Sequence, residues 1–224
     1  MAKAKIIGII QVKGGAGRST LATNLAGELS KKGSTILLDG DMPQGTSASW
    51  YAVRQQIGKA GNLKADTATD HRDLVAKVEH YAKQAEYIVL DGPPRIAEMT
   101  RAILMLADLC LVPVGASVAE IWATSDLTEI IAEARKVRPI NARMVWTRHR
   151  PYTNLAKDLT SRAKKDLGLP IMPTTLGLRV AYQEALGDGL TVSETGDANA
   201  KHEIYNLMAD CGKMLRYLPT QIRP

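Results

Sequence analysis

A glycine-rich segment near the start of the chain has residue types suited to binding phosphate. Residues 13–20 read Lys-Gly-Gly-Ala-Gly-Arg-Ser-Thr, between an apolar run at 6–12 and an amphipathic pattern at 19–32. Glycines let a backbone curl closely around an anion, and the first N–H groups of a helix point toward it. The hydroxyl of Ser19 is placed to bind Mg²⁺. The segment therefore predicts a strand, a phosphate-binding loop and a helix in succession.

Two other apolar runs end in carboxylates. The run at 34–39 ends in Asp39, with Asp41 two residues later, and the run at 87–90 is followed by Asp91. A carboxylate at the tip of a strand can hold Mg²⁺ directly or through water. Ligands of open α/β sheets bind at the carboxyl ends of the strands, where the glycine-rich loop also lies. We therefore expect these carboxylates and the loop to share one phosphate and metal site.

Apolar strands and helical patterns alternate along the whole chain. Beyond the segments above, helical patterns lie near 70–84, 97–107, 119–137, 153–167 and 197–217, with strands near 109–114 and 141–147. The segment 58–68 is compatible with a short strand or a loop. The alternation predicts the α/β class, with a doubly wound, mostly parallel sheet of P-loop NTPase type and helices on both faces. With 224 residues and no linker-like segment, we expect a single domain spanning 1–224.

Composition excludes several other classes of protein. No run approaches the roughly 18 apolar residues of a membrane-spanning helix, and no signal peptide is evident, so we expect a cytoplasmic protein. The two cysteines and four histidines show no spacing typical of a zinc site.

The three motifs together resemble those of the ParA/MinD family of ATPases. Residues 13–19 are similar to that family's deviant Walker A loop, K-G-G-x-G-K-[ST], and residues 39–44 to its D-x-D-P-Q switch, with Met42 as one additional residue. In that family the lysine at the position of Lys13 reaches the ATP of a second subunit in a nucleotide-sandwich dimer. The second lysine of the pattern grips the phosphates within its own subunit, and here that position is Arg18.

The resemblance implies ATP hydrolysis as the activity and ATP and Mg²⁺ as cofactors. It gives catalytic roles to Lys13 and to Asp41, which would orient or deprotonate the attacking water, and metal-binding roles to Ser19, Asp39 and Asp91. The nucleotide-binding residues that it implies are Gly14, Gly15, Ala16, Gly17, Arg18, Ser19, Thr20, Thr147 and Arg148.

Arginine at position 18 changes the expected mechanism. Arginine is longer than lysine and carries its donors in a planar fork, so it can neutralise phosphates without fitting the same pocket. Phosphoryl transfer depends on positioning, and a displaced cation should slow hydrolysis more than it weakens binding. We expect the fold and nucleotide affinity to persist while turnover is slow or absent. A nucleotide-gated DNA-binding module that does not hydrolyse ATP therefore stays open as an alternative.

Positive charge is concentrated in one part of the chain. Residues 135–179 contain eleven Lys or Arg and two Asp, a local net charge of +9 in a chain of +6. Within 153–167, Leu155, Leu159, Ala163 and Leu167 form a stripe expected to face the core. The residues expected to contact duplex DNA without reading its sequence are Arg150, Lys157, Arg162, Lys164, Lys165 and Arg179. An ordinary solvated helix face is the alternative.

The sequence thus predicts a ParA-like DNA partition ATPase that forms a homodimer on binding ATP and associates with the nucleoid. A cargo-bound partner, ParB-like or a small centromere-binding or adaptor protein, would stimulate hydrolysis, and the cargo is a plasmid, a chromosome region or a protein assembly. Glu120 falls in a region that contributes to the dimer face in relatives. A glutamate favourably placed at a helix N-terminus explains it equally well.

The competing hypothesis is a membrane-surface switch similar to MinD. It requires the amphipathic C-terminal segment to leave the domain. Its apolar face consists of Leu207, Met208, Cys211, Met214, Leu215 and Leu218. We expect a packed final helix and no stable membrane association, because the face begins well before the terminus and Pro219 and Pro224 interrupt the tail.

Overall fold

A six-stranded sheet lies between two layers of helices in the computed structural model, which describes residues 4–150 and 154–216. The strands are β1 (Lys5–Ile9), β2 (Thr35–Asp39), β3 (Leu63–Thr67), β4 (Tyr87–Asp91), β5 (Leu109–Gly115) and β6 (Ala142–Thr147). The helices are α1 (Arg18–Ser30), α2 (Thr46–Gln56), α3 (His71–Tyr81), α4 (Ala97–Leu106), α5 (Val118–Trp122), α6 (Ser125–Val137), α7 (Asn154–Leu167), α8 (Ala181–Gly187) and α9 (Ala198–Arg216). The side chain of Leu155 and the residues Leu218, Pro219 and Pro224 lie outside the described part of the chain.

All pairings between the strands are parallel, in the order β3-β2-β4-β1-β5-β6. The strand that precedes the glycine-rich loop, β1, therefore lies between β4 and β5. In the register of β2 and β4, Asp39 is directly opposite Asp91, and Ile9 of β1 is also opposite Asp91. The three motifs consequently meet at the carboxyl edge of the sheet, as the predicted α/β architecture requires.

Both faces of the sheet are covered by helices. Successive residues of a strand point to opposite faces, so β1 sends Ile6 to one core and Ile7 to the other. The core on the Ile6 side includes residues of α3, α4, α5, α6 and α7, and the core on the Ile7 side includes residues of α1, α2, α8 and α9. Burial on both faces explains why the strands read as nearly continuous apolar runs. The predicted doubly wound sheet is confirmed.

Several local predictions differ from the structure. The segment 58–68 contains a strand, β3, and the predicted helix at 119–137 is two helices, α5 and α6, with a break at Ala123–Thr124. Neither α2 nor α8 was predicted. In α2 the buried side chains are few, and its start follows Gly45-Thr46-Ser47, residue types that also favour turns. Its amphipathic pattern was therefore too weak to detect from the sequence.

Candidate nucleotide and metal site

The glycine-rich loop leaves β1 and enters α1 through two residues in the left-handed region. Gly15 has a φ of 74° and Gly17 a φ of 95°, conformations that glycine adopts without strain. Gly17 is the N-cap of α1, and no side chain caps the helix. The first N–H groups of α1 therefore face the loop without a side-chain acceptor, which is the arrangement that binds an anion.

Arg18 is buried and crosses the loop. Its Nη1 donates hydrogen bonds to the carbonyl oxygens of Gln11, at 2.8 Å, and Lys13, at 2.7 Å. Its Nη2 lies 3.5 Å from Oδ2 of Asp41. Arg18 Nε is buried and has no hydrogen-bond partner among the described residues. The guanidinium is thus engaged by the loop's own carbonyls and by the switch aspartate.

Lys13 is bound to a carboxylate of its own subunit. Its Nζ lies 2.7 Å from Oε1 of Glu120, and Nη2 of Arg148 lies 3.1 Å from the same oxygen. Arg148 follows β6 with a φ of 51°, which is uncommon for a residue with a side chain. The sequence placed Arg148 at the nucleotide. The structure places Arg148 in the wall of a cleft that adjoins the glycine-rich loop, with its guanidinium on Glu120.

Asp39 is fully buried, and each of its oxygens accepts a backbone N–H. Its Oδ1 accepts from Asp41 at 2.9 Å, and its Oδ2 accepts from Ala48, in the first turn of α2, also at 2.9 Å. The carboxylate at the tip of β2 therefore holds both the switch residue and the start of the next helix. This arrangement positions Asp41 next to the glycine-rich loop.

The surroundings of Asp91 are those expected of a metal-binding residue. Its Oδ2 accepts the hydroxyl of Ser47 at 2.7 Å and it also interacts with the hydroxyl of Ser19, whereas its buried Oδ1 has no partner among the described residues. Burial, together with the neighbouring charge of Asp39, raises the pKa of Asp91 to about 7. A buried, unpaired carboxylate oxygen beside hydroxyl groups fits an oxygen-preferring cation such as Mg²⁺.

Protein ligands for a cation are few at this site. Residues 4–150 and 154–216 contain no group of three or more His, Cys, Asp or Glu side chains that could hold a metal ion. Mg²⁺ commonly uses one or two carboxylates and takes its other ligands from water and substrate phosphates. The site therefore fits a cation that arrives with a phosphorylated ligand.

A cleft adjoins the loop on the side of β6. Gly17, Thr147 and Tyr182 line it, together with residues 176–179, which include Leu178 and Arg179. The Thr147 hydroxyl donates to the carbonyl oxygen of Ala16 at 3.1 Å, which joins the end of β6 to the loop. The cleft therefore continues from the phosphate-binding loop, where a nucleoside attached to those phosphates would lie.

Glu203 of α9 holds the outer wall of this cleft. Its Oε1 accepts from Arg179 Nε and Nη2, at 2.9 and 2.7 Å, and its Oε2 accepts from the Gly177 N–H and the Tyr182 hydroxyl, at 3.0 and 2.8 Å. Burial and the charge of Glu203 raise the pKa of the Tyr182 hydroxyl, which thus stays protonated as the donor. This wall was not predicted, because residues 176–183 carry no motif.

The structure separates the residues expected to contact DNA. Lys157, Lys164 and Lys165 are exposed on α7, and the exposed Arg162 is 2.9 Å from Asp158 of the same helix. Arg179 precedes α8, on the opposite face of the sheet from α7, and is bound to Glu203. Arg150 is exposed after β6. The basic side chains that could act together are therefore those of α7.

Sequence comparisons find relatives along nearly the whole chain. No family model matches it. Maintenance of carboxysome distribution protein A from Halothiobacillus neapolitanus is 28% identical over 201 residues, covering 87% of this chain and 89% of that protein. The chromosome-partitioning ATPase Soj from Thermus thermophilus is 26% identical over 242 residues, covering 93% of this chain and 95% of Soj.

Solved structures share the fold. An ATP complex of a Cyanothece McdA variant has a TM-score of 0.78 at 16% identity, and each chain is covered completely. The septum site-determining protein MinD from Pyrococcus horikoshii, complexed with Mg-ADP, has a TM-score of 0.72 at 13% identity, covering 94% of this chain and 97% of that chain. The chain is similar to ParA/MinD ATPases. Both the resemblance seen in the motifs and the P-loop type of α/β fold are confirmed.

Two residues of the candidate site were missed from the sequence. Ser47 bonds to Asp91 but lies in α2, which was not predicted. Gln11 was read only as part of an apolar strand. Its amide donates to the carbonyl oxygen of Pro113 at 3.1 Å and to the Thr124 hydroxyl at 3.0 Å, which ties the loop to the break between α5 and α6. A lone glutamine among isoleucines and valine was the one available signal.

Proposed function

We propose that this chain is an ATP-dependent molecular switch that binds Mg²⁺ and ATP, pairs with a second copy, and hydrolyses ATP slowly. The observation that carries the proposal is the meeting of the glycine-rich loop with Ser19 and the unpaired oxygen of Asp91 at one edge of the sheet. Relatives support it, because Soj is named an ATPase and the solved McdA and MinD chains contain ATP and Mg-ADP.

Each part of the site has a role in this proposal. The backbone N–H groups of residues 14–20 bind the phosphates, and the cleft beside Thr147 binds the nucleoside. Ser19 and Asp91 hold Mg²⁺, which neutralises charge on the phosphates when it is bound. Asp39 keeps Asp41 in place through its backbone N–H, and Asp41 orients the water that attacks the terminal phosphate.

Exposed apolar side chains at the same edge support pairing with a second copy. Met42 lies in the switch, Ile96 precedes α4, Trp122 ends α5 and Leu178 lines the cleft, and all are more than 40% exposed. Apolar side chains exposed around a polar site commonly mark an interface. A second copy that faces this edge would cover them and would bring the two Lys13 side chains toward the opposite nucleotides.

The proposed output is DNA binding without sequence preference. On α7, Lys157, Lys164 and Lys165 are exposed and form no ion pair with another described residue. Leu159, Ala163 and Leu167 pack this helix into the core shared with α5, the helix that carries Glu120. Nucleotide-dependent pairing would therefore place two such helices on one particle, and phosphate affinity rises with the number of cations.

The proposed cellular role is to position a cargo over the nucleoid. Of the relatives described above, one is named for chromosome partitioning and one for carboxysome distribution. We therefore propose an ATP-driven positioning system whose cargo is a DNA region or a protein assembly. A cargo-bound adaptor, ParB-like or smaller, would stimulate hydrolysis and return the protein to its unpaired form.

The deciding experiment measures binding to duplex DNA of arbitrary sequence with ATP, with ADP and without nucleotide, across a salt series. The proposal predicts binding that requires ATP and weakens steeply with salt. Binding that is equal in all three nucleotide states would contradict a nucleotide switch. Absence of binding in every state, from a protein that does bind ATP, would refute the DNA-binding role of α7.

Replacing Lys157, Lys164 and Lys165 together by alanine is expected to weaken ATP-dependent DNA binding by roughly 10- to 100-fold near 0.1 M salt. Each lost phosphate contact should also reduce the salt slope by about 0.9. The control is the triple alanine variant of Lys32, Lys64 and Lys83, which are exposed elsewhere and remove the same charge. An equal loss in both variants would show that net charge, and not α7, determines binding.

The membrane-surface alternative is not favoured by the contacts of α9. Ala200, Ile204, Leu207, Cys211 and Leu215 are buried in the core that also contains residues of α1. Within residues 4–150 and 154–216, no helix combines the length and the apolarity needed to cross a bilayer. Liposome sedimentation with and without ATP separates the two functions, because ATP-dependent pelleting would favour the membrane-surface switch.

A non-hydrolysing switch is the second candidate, and the contacts of Arg18 favour it. Both Nη atoms already contact the loop carbonyls or Asp41, so catalysis would require Arg18 and the switch aspartate to give up these contacts. ATP-dependent DNA binding without measurable phosphate release would establish this candidate. Phosphate release at the rate of an ordinary switch ATPase would exclude it.

A further inference from the structure

The lysine expected to act on a second subunit is held by its own subunit. Lys13 Nζ is 2.7 Å from Oε1 of Glu120, whose side chain is only 11% exposed. Arg148 Nη2 is 3.1 Å from the same oxygen, and Glu120 Oε2 is buried without a partner among the described residues. We call these three side chains the Glu120 cluster. Two cations thus share one carboxylate beside the glycine-rich loop.

The backbone around Glu120 fixes the carboxylate in this place. The Glu120 N–H bonds to the Ser117 hydroxyl at 3.2 Å, and the Thr124 hydroxyl donates to the Glu120 carbonyl oxygen at 2.7 Å. Thr124 in turn accepts the amide of Gln11, at the base of the loop. The carboxylate is therefore attached to the same segment that carries Lys13, and it can keep that lysine in one position.

Room for the cluster depends on a glycine. A Cβ on Gly115 would overlap Arg148 Nη2 and would lie 3.0 Å from Glu120 Cγ, which is closer than ordinary contact. The absence of a side chain at the end of β5 lets Arg148 approach the carboxylate. The cluster is thus built from the ends of β5 and β6, from α5 and from the loop, and it is more than a chance pair of exposed side chains.

Charge balance allows Lys13 to leave the cluster. A buried carboxylate left without a cation is strongly destabilising, whereas Glu120 keeps Arg148 when Lys13 departs. Lys13 is also partly exposed, at 38% of its side chain, so it can move outward without disrupting the core. The second cation therefore lowers the free-energy cost of releasing the first.

We propose that Glu120 is a positioning residue that holds Lys13 on its own subunit until a second, nucleotide-loaded copy draws the lysine to its phosphates. This inference rests on the proposed nucleotide-dependent pairing. Glu120 would then oppose dimerisation in the absence of nucleotide, because Lys13 leaves the Glu120 carboxylate only when the second copy offers it a phosphate. The phosphates of a bound nucleotide carry more negative charge than the single carboxylate of Glu120. They can therefore draw Lys13 away in a nucleotide-loaded pair, whereas without nucleotide Lys13 stays on Glu120.

The first test needs no pairing. The acylation rate of Lys13 by an amine-reactive reagent is measured by mass spectrometry on the nucleotide-free protein at high dilution. Glu120→Gln is expected to raise this rate roughly three- to ten-fold, because the amide does not hold the ammonium as a carboxylate does. The control, Glu133→Gln, removes an exposed partner of Lys136 and should leave Lys13 unchanged. An unchanged Lys13 rate in Glu120→Gln would overturn the proposal.

The second test measures pairing with Mg²⁺ and ATP by sedimentation velocity. Glu120→Gln is expected to lower the Kd of the dimer roughly ten-fold, since two restraints are removed per dimer. In a Lys13→Ala background the same substitution should have no effect, because no lysine is left to release. Weaker pairing in Glu120→Gln, or an equal gain without Lys13, would overturn the proposal.

A fluorescence signal separates a failure of the proposed pairing from a failure of the role inferred for Glu120. Trp122 is 67% exposed two residues after Glu120, whereas Trp50 and Trp146 are each 1% exposed. Iodide quenching therefore reports on α5, and pairing should protect Trp122. If the native chain neither sediments as a dimer nor loses quenching with ATP, the proposed function fails, and the acylation test still decides whether Glu120 holds Lys13.

Discussion

Replacing Asp91 by asparagine is expected to raise the free energy of unfolding by about 2 kcal/mol at pH 8 in buffer without Mg²⁺, because removing the buried charge gains about 4 kcal/mol and burying the amide N–H groups in place of Oδ1 costs about 2 kcal/mol. Burial, and secondly the charge of Asp39, raises the pKa of Asp91 from its ordinary value of 3.8 to about 7 in the folded protein. Above pH 7 the native protein must keep a buried carboxylate ionised. Asparagine removes that charge while its side-chain oxygen can still accept the Ser47 hydroxyl.

The pH dependence follows from the direction of this shift. A carboxyl whose pKa is raised on folding stabilises the native state fully below its unfolded pKa, and this contribution is lost as pH rises through the folded value. The loss of native-state stability caused by ionised Asp91 therefore grows between about pH 4 and pH 7. The advantage of Asp91→Asn should shrink to less than half at pH 5.

Denaturant unfolding at pH 5 and at pH 8, in buffer that contains a chelator, measures the gain in free energy of unfolding at each pH. Asp158→Asn is the control, because it removes an exposed carboxylate of α7 and should change stability by less than about 0.5 kcal/mol. Mg²⁺ with ATP should stabilise the native chain more than the Asp91 variant. A variant less stable than the native chain at pH 8, or a gain independent of pH, would contradict the buried charge at Asp91.

This cost is what a metal-binding residue requires. An oxygen that is already neutralised by a protein partner binds Mg²⁺ weakly, so the unpaired Oδ1 of Asp91 suits the proposed cation role although it costs stability. Asp39 differs because backbone N–H groups use both of its oxygens. The two aspartates that the sequence treated alike are thus expected to differ in function, one toward the cation and the other toward the switch.

The fold could be predicted because its signals are local and repeated. Apolar runs separated by helical patterns give a parallel sheet, and glycines followed by Ser19 mark the loop at the end of β1. The site residues that were predicted lie at strand ends, where a parallel sheet brings them together whatever the loop conformations are. Asp39 and Asp91 are directly opposite each other for this reason.

The rest of the site depends on contacts between segments far apart in sequence. Glu203 meets Arg179 and Tyr182 from α9, and Glu120 meets Lys13 across 107 positions. No local pattern marks such a pair, since a glutamate on a short helix has many uses. For the same reason Arg179 was grouped with the lysines of α7, although the sheet lies between them.

Replacing Arg18 by lysine is expected to raise the rate of ATP hydrolysis at saturating ATP by at least about ten-fold, which corresponds to a barrier lower by about 1.4 kcal/mol. Arg18 reaches two loop carbonyls and Asp41 at once because its donors form a fork. A single ammonium on a shorter stem cannot hold all three groups. Asp41 would then be free to orient water, while the cation stays within the loop.

The effect should fall on kcat and not on KM, because the backbone N–H groups and Mg²⁺ supply most of the ground-state binding. The control is Arg54→Lys, since Arg54 is also buried but pairs with Glu194 away from the loop. Its kcat should equal that of the native chain at a temperature where both are folded. A similar gain in Arg54→Lys would point to general loosening of the fold.

The double variant Arg18→Lys with Asp41→Asn decides how the gain arises. If lysine acts by releasing Asp41, the asparagine should abolish the gain, because an amide cannot act on water as a carboxylate does. If the gain survives, the cation alone limits turnover and the contact between Arg18 and Asp41 is incidental. An unchanged rate in the single variant would mean that Arg18 is not what slows hydrolysis.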